Sequence, residues 1–359
     1  MTGTGTQADP YIVDSWSEFV SVADKAVYIT CPENSVWDMS EQLPDGLTNA
    51  VNILANEFNG NGLVIKNLYA NGGSLVLGNS NYYITIKNVS FIDLSTSSKN
   101  SVIFRHVYRK GYYYGRAFQN CKFTGAITSG TLFMLPGADG NYTDIVFTND
   151  GDKSCLFDIF LGEGTTFNEI NSTSFMDCYI KLSGHTSTAF VGKYTRCYFS
   201  GESPFAGAYG IDFQRITNSV LDIVIPQGSK VSITSSNAKK CVINKDKLLG
   251  GYYADPSARY VPIEVTTEQL SDAEYLRSKG FAIATEEPYA NDVWRISKNF
   301  NDEKPYTGFM LLPETKPPSM KWEFAFSGSK RALFSAEKEM RFGIDISADY
   351  KFLFSVINE

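Results

Sequence analysis

The chain has little histidine, no paired cysteine motif and no long apolar run. Only His106 and His185 occur among 359 residues, and none of the six cysteines stands in a C-x-x-C pair. Zinc chemistry and histidine-based acid–base chemistry therefore have little to draw on. No apolar stretch approaches the roughly 18 residues that a membrane helix needs, so no membrane partner is expected. The G-x-S-x-G elbow and the G-x-x-x-x-G-K-[ST] phosphate loop are both missing. "GADGN" (137–141) and "NDGDK" (149–153) are only fragments of a calcium-loop pattern. Neither a cofactor nor a metal is expected.

Positive charge is also short. Lys and Arg number 32 against 39 Asp and Glu, a net charge of −7, which argues against a nucleic-acid partner. The opening "MTGTGTQADPYIV" lacks the basic and apolar regions of a secretory signal. That predicts synthesis in a cytoplasm, with the cysteines as reduced thiols.

What is present is glycine, aromatic residues and a repeat. The chain carries 29 Gly, 21 Tyr and 25 Phe, a mixture that favours strands joined by tight turns. "VIKNLYA" (64–70), "TIKNVSF" (85–91), "FQNCKF" (118–123), "YTDIVF" (142–147), "FMDCYI" (175–180), "YTRCYF" (194–199), "ITNSVL" (216–221) and "AKKCVI" (238–243) fit one template. Its fourth column holds Leu68, Val89, Cys121, Ile145, Cys178, Cys197, Ser219 and Cys241, at spacings of 21, 32, 24, 33, 19, 22 and 22 residues. Cysteine shares that column with aliphatic residues, so it is expected to be interior packing. A period near 22 residues predicts an all-β fold, a right-handed parallel β-helix or solenoid in which each coil pairs with its neighbours.

Two stretches carry a family resemblance. "GTGTQADPYIVDSWSEFVSVA" (3–23) looks like the opening of many β-helical surface and prophage-encoded proteins, with a Gly-Thr turn and Asp-Pro-Tyr before a short helix. "FNGNGLVIKNL" (58–68) is similar to the F-D-G-N-G-x-x-I-x-x-L coil motif of that group, with Asn59 where Asp is usual. The resemblance covers about the first 250 residues, concerns architecture and carries over no catalytic residue. "TTEQLSDAEYLRSKGF" (266–281), with Trp294 after it, resembles tail segments of Gram-positive prophage proteins.

The expected division is an amino-terminal cap with first strands (1–50), the parallel β-helix (51–254) and a small, mainly β carboxy-terminal domain for assembly or attachment (255–359). Residues 14–24 have helical apolar spacing at Trp16, Phe19, Val20 and Ala23, with Asp14 or Ser15 as the cap. A second helix starts near Thr267 or Ser271 and stops at Gly280. "MKWEFAF", "RALFS", "MRFGIDIS" and "YKFLFSVI" read as antiparallel strands near the end.

Two sets of residues attract a functional reading. Asp144, Asp150, Asp152, Asp158, Glu163, Asp177, Asp212 and Asp222 are outward or turn carboxylates, and a glycosidase would need two of them at about 5–9.5 Å. Asp144 and Asp177 fall in the third column beside Asn67, Asn88, Asn120, Arg196, Asn218 and Lys240, which reads as a turn ladder. The insertion "RHVYRKGYYYGR" gathers Arg105, His106, Tyr108, Arg109, Lys110, Tyr112, Tyr113, Tyr114 and Arg116 in an otherwise acidic chain. It is a candidate for binding a host-surface glycan or another protein.

These readings converge on a non-enzymatic virion structural protein of a bacteriophage: a tail, fibre, collar or capsid-associated spike. Its expected partners are other virion proteins and its own copies as a homotrimer. A polysaccharide depolymerase on the same scaffold and a bacterial surface adhesin are the alternatives.

Overall fold

The computed structural model describes residues 1–77, 84–99, 101–106, 116–134, 145–147, 153–168, 173–186, 192–202, 211–212, 216–228, 231–233, 240–250, 252–254, 261–285, 290–298, 300–313, 321–325 and 331–335. Two compact units emerge, Met1–Pro313 and Glu314–Glu359. The boundary expected at 254/255 falls inside the first unit.

The first unit is mostly β with a few short helices, and a long parallel sheet dominates it. Strands follow three tracks. On the first, Tyr28–Thr30, Glu57–Asn59, Ile84–Lys87, Arg116–Gln119, Ile145–Phe147, Ser174–Met176, Lys193–Thr195 and Ile216–Thr217 pair in parallel, each with the next. The second runs from Val36–Asp38 through Lys122–Ile127, Leu156–Leu161 and Tyr198–Glu202 to Ile263–Val265. A third joins Val51–Ile53, Leu75–Leu77, Val102–His106 and Thr131–Met134. Successive strands in sequence thus lie in different tracks, and each track repeats once per turn of the pattern. This arrangement is consistent with a parallel β-helix.

A left-handed corner links the first track to the second. Asn34, Asn61, Asn88, Asn120, Asp177, Arg196, Asn218 and Lys240 all stand there with φ between 49° and 58°. An L-residue in that region costs about 1–2 kcal/mol, least for Asn and Asp, whose short polar side chains bond locally. The Asn-rich column is therefore a turn ladder. Amides link consecutive corners: Asn120 Nδ2 donates to Asn88 Oδ1 (2.6 Å), and Asn88 Nδ2 to Asn59 Oδ1 (2.8 Å).

The column that follows differs from the expected one at two places. Leu63, not Leu68, lies opposite Val89; Asn67 and Leu68 belong to a second corner, where Asp93 also has positive φ. The strand Ile145–Phe147 sets Phe147 beside Phe118 and Phe175, so Ile145 leaves the fourth column. Its place goes to Cys155, because Leu156 pairs with Lys122 and its amide donates to the Cys121 carbonyl. Five of the six cysteines, Cys121, Cys155, Cys178, Cys197 and Cys241, form one interior file, and all six are free and buried. Burial pushes the Cys31 and Cys241 thiols up to about 12. It moves Cys155 and Cys197 well above the ordinary thiol range. Such thiols stay neutral and pack as small apolar groups.

Aromatic rings stack along the same direction. Phe118, Phe147, Phe175 and Tyr194 follow one another at centroid distances of 5.1, 4.7 and 4.7 Å, nearly parallel. Phe91, Phe123 and Phe157 do likewise at 5.3 and 4.9 Å. The strand-to-strand spacing of about 4.8 Å sets these values. Each fully buried Phe contributes about 1.5–3 kcal/mol, so the core draws its stability from the repeat itself.

The helix Trp16–Ala23 covers the amino-terminal end, capped by Ser15, whose side chain accepts from the Glu18 amide. Trp16, Phe19, Val22 and Ala23 face inward, against Trp37 and Phe58. The expected second helix is two short ones, Thr267–Leu270 and Ala273–Ser278, because Thr266 and Asp272 each supply a separate cap. Gly280, at φ +87°, ends the second. In the second unit Lys321–Ala325 pairs antiparallel with Arg331–Ser335. The further strands expected after 340 lie outside the described residues.

Candidate functional site

Side chains just past the thiol file point outward on the second track. At successive repeats they are Val36, Val64, Ser90, Lys122, Leu156, Tyr179, Tyr198, Val220 and Val242. From Leu156 onward they belong to a second hydrophobic core. Val265, Leu270, Leu276, Phe281, Ile283, Trp294 and Met310 complete it. A strap formed by the described residues 261–285, 290–298 and 300–313 therefore lies over this half of the face.

Polar contacts pin the strap to the corner ladder. Trp294 Nε1 donates to the Asn218 carbonyl (3.0 Å) and Thr307 Oγ1 to Asp177 Oδ1 (2.9 Å). The Ser154 amide donates to the Phe309 carbonyl (2.6 Å). Asp177 is fully buried and also takes a two-pronged bond from Arg196, at 2.9 and 2.8 Å.

Asp222 is the strap's other anchor. Its carboxylate accepts from the Tyr198 hydroxyl (2.7 Å) and Asn244 Nδ2 (2.7 Å), and pairs with Lys247 (2.9 Å) and Lys304 (3.0 Å). Burial alone would raise its proton affinity. The Tyr198 hydroxyl, the two ammonium groups and the Asn244 amide outweigh that and hold the carboxyl below the usual aspartate range. Tyr179 stacks on Tyr198 at 5.3 Å and accepts from Ser200, and burial pushes its phenol up to about 12. Lys304 follows three consecutive left-handed residues, Asn301, Asp302 and Glu303.

Among the described residues the second core does not continue upstream of Leu156. A groove of about 350 Å³ runs along the ladder past Asn34, Asn61, Asn88 and Asn120. Ser90 and Lys122 line it as outward strand residues, together with Leu156, Leu311 and Leu312. Lys122 has no ion-pair partner among the described residues, whereas Lys66, Lys87 and Lys181 pair with Asp38, Glu57 and Asp158.

The expected site residues fare unevenly. Arg105 is half-buried on the strand Val102–His106, and its Nε has no hydrogen-bond partner among the described residues. His106 ends that strand, Arg116 begins Arg116–Gln119, and His185 lies within Tyr179–Thr186. Tyr108, Arg109, Lys110, Tyr112, Tyr113 and Tyr114 lie outside the described residues. So do Asp144, Asp150 and Asp152. Glu163 and Asp212 are placed on strands, and Asp158 is paired with Lys181. No cluster of three or more metal-ligating side chains occurs among the described residues. No described helix is long and apolar enough to cross a membrane. The groove was not anticipated. Its signal was the switch from Val64, Ser90 and Lys122 to Leu156, Tyr179 and Tyr198 at one repeat position.

No protein-family description matches the chain, and no curated protein does. One solved structure is similar: a Bacteroides ovatus protein described as a "putative immunoglobulin A1 protease". It shares 14% identity at a TM-score of 0.42, over 86% of this chain and 95% of that one.

Proposed function

We propose that the chain is a non-enzymatic structural protein of a bacteriophage particle, built as a right-handed parallel β-helix that serves as a stiff rod for assembly or host attachment. The observation that carries this reading is the unbroken parallel pairing from Tyr28–Thr30 to Ile263–Val265. With about 4.8 Å per repeat, bending such a stack breaks ladders in every track at once. The two buried aspartates support a structural role, since Asp177 and Asp222 are both consumed in holding the strap. The phage setting draws on the resemblance of residues 3–23 and 58–68 to prophage β-helical proteins.

Immunogold labelling of phage particles from a strain encoding the chain tests the setting. Discrete label at one position on the virion is expected; label only on free protein contradicts it. Light scattering on the purified chain tests the trimer, and a monomer at micromolar concentration would remove it. Release of reducing sugar from host envelope glycans would move the chain to the depolymerase reading.

A further inference from the structure

We propose that the turn 300–304 is a sprung latch on the strap: Lys304 holds it down on Asp222 against backbone strain, and it lifts as a local unit while the parallel sheet beneath stays intact. This goes beyond the structural role proposed above and does not depend on the phage setting. Asn301, Asp302 and Glu303 stand at φ 51°, 51° and 60°. Every other left-handed non-glycine residue among those described is isolated, with no second one beside it. L-residues visit this region singly because Cβ crowds the following carbonyl, so a run of three accumulates strain. Asp302 and Glu303 are exposed, and neither makes a side-chain hydrogen bond or ion pair among the described residues. Their side chains therefore do not offset the strain.

The flanks hold the turn in place. Asn301 is buried, and its Nδ2 donates to the Pro305 carbonyl (2.9 Å). Antiparallel bridges Ser297–Phe300 and Arg295–Tyr306 close the loop at its base, within the strap itself. Among the described residues Lys304 makes the turn's one polar contact with the sheet, its Nζ 3.0 Å from Asp222 Oδ2. The Tyr198 hydroxyl donates to the same oxygen, so the lysine closes over the covered face at Tyr198. A strained backbone persists only where its surroundings over-determine it, and such places recur at switch regions. Here one ammonium supplies the hold on the sheet.

Releasing that ammonium orphans no buried charge. Asp222 keeps Lys247 at 2.9 Å, the Tyr198 hydroxyl and Asn244 Nδ2, none of which belongs to the strap. The Lys304 side chain is already 20% exposed and moves into water. Breaking a buried pair is costly when the remaining charge is left alone, and Asp222 is not. The strap's other anchors, Trp294 on Asn218, Thr307 on Asp177 and Phe309 on Ser154, lie outside the turn and stay seated. Lifting the turn thus bares Tyr198 and Asp222 and relieves the left-handed run.

Hydrogen exchange on the full chain tests this, with the amides of Glu303, Lys304 and Tyr306 as reporters, each bonded in the closed turn. Val220 and Leu276 report on the sheet and on the strap's helix. Lys304→Met should speed the reporters about tenfold or more and leave Val220 and Leu276 unchanged. Asp302→Gly together with Glu303→Gly should slow the reporters about tenfold, since glycine takes the left-handed region without crowding. Asn301 is kept because its side chain is in use. Adding the glycine pair to Lys304→Met should return the reporters toward the parent rate, a rescue that an unstrained turn would not show. In the unmodified chain the reporters should exchange at a rate insensitive to low denaturant, whereas Val220 accelerates. That readout needs no variant to fold.

The proposal is overturned by reporters that follow Val220 in denaturant, or by Lys304→Met without effect on them. It is overturned equally by a glycine pair that leaves the reporter rates unchanged or raises them. None of these outcomes alters the labelling of virions, so the two proposals fail separately.

Discussion

Lys122 and Tyr179 occupy equivalent places two repeats apart, the first lining the groove and the second under the strap. Backbone, corner and thiol file are the same at both. What differs is the outward side chain: Ser90 and Lys122 are polar, whereas every position from Leu156 to Val242 is apolar or aromatic. A parallel repeat hides its inner face automatically, but the outer face needs a partner wherever it turns apolar. Here the described part of the chain supplies its own cover over the apolar downstream half.

Removing the cover should give the largest effect. Trp294 is fully buried, packs on Phe281 and bonds the Asn218 carbonyl. Trp294→Ala should cost about 3–5 kcal/mol by denaturant unfolding, and should bring fast amide exchange to 179, 198 and 220 while 63–65 and 89–91 keep their protection. Equal loss at both sets would mean that the two halves are not independently covered.

The anchor comes next. Asp222→Asn leaves two lysines beside a neutral group and should cost about 3–5 kcal/mol, the price of breaking a buried pair. The folded carboxyl lies below the ordinary aspartate value. Its stabilisation is therefore fully present above about pH 4, the ordinary aspartate value, and drains as pH falls through the folded value. Acid should loosen the strap before the upstream repeats, and the substituted chain should lack that early step. A single cooperative acid transition in both proteins would dissolve the distinction.

The smallest effect sharpens what the halves share. Lys240 holds φ 58° in a column where Asn stands at Asn88, Asn120 and Asn218. Lys240→Asn should raise stability by up to about 1 kcal/mol, since Asn tolerates the left-handed region better. A loss of stability would show that Lys240 does more than turn the corner.

Much of this was legible from residues alone. The period, the corner ladder, the amino-terminal helix and four cysteines of the file followed from apolar spacing and turn chemistry. Cys155 was missed because "YTDIVF" offers a nearby false match to the template. Leu68 was misplaced because "IKNL" and "IKNV" turn two different corners with the same local chemistry, and only interstrand pairing separates them. The strap was invisible for another reason: its residues follow no repeat. Its partner face showed only as a change from Lys122 to Leu156, Tyr179 and Tyr198 at one repeat position.

The register of the thiol file underlies both halves of the comparison, and counting reactive thiols tests it most directly. The native protein, treated with a thiol reagent at neutral pH, should show no rapidly reacting cysteine. The same protein in strong denaturant should show all six. Rapid native reaction at Cys121, Cys155, Cys178, Cys197 or Cys241, located by mass spectrometry, would place that sulfur in water and contradict the register.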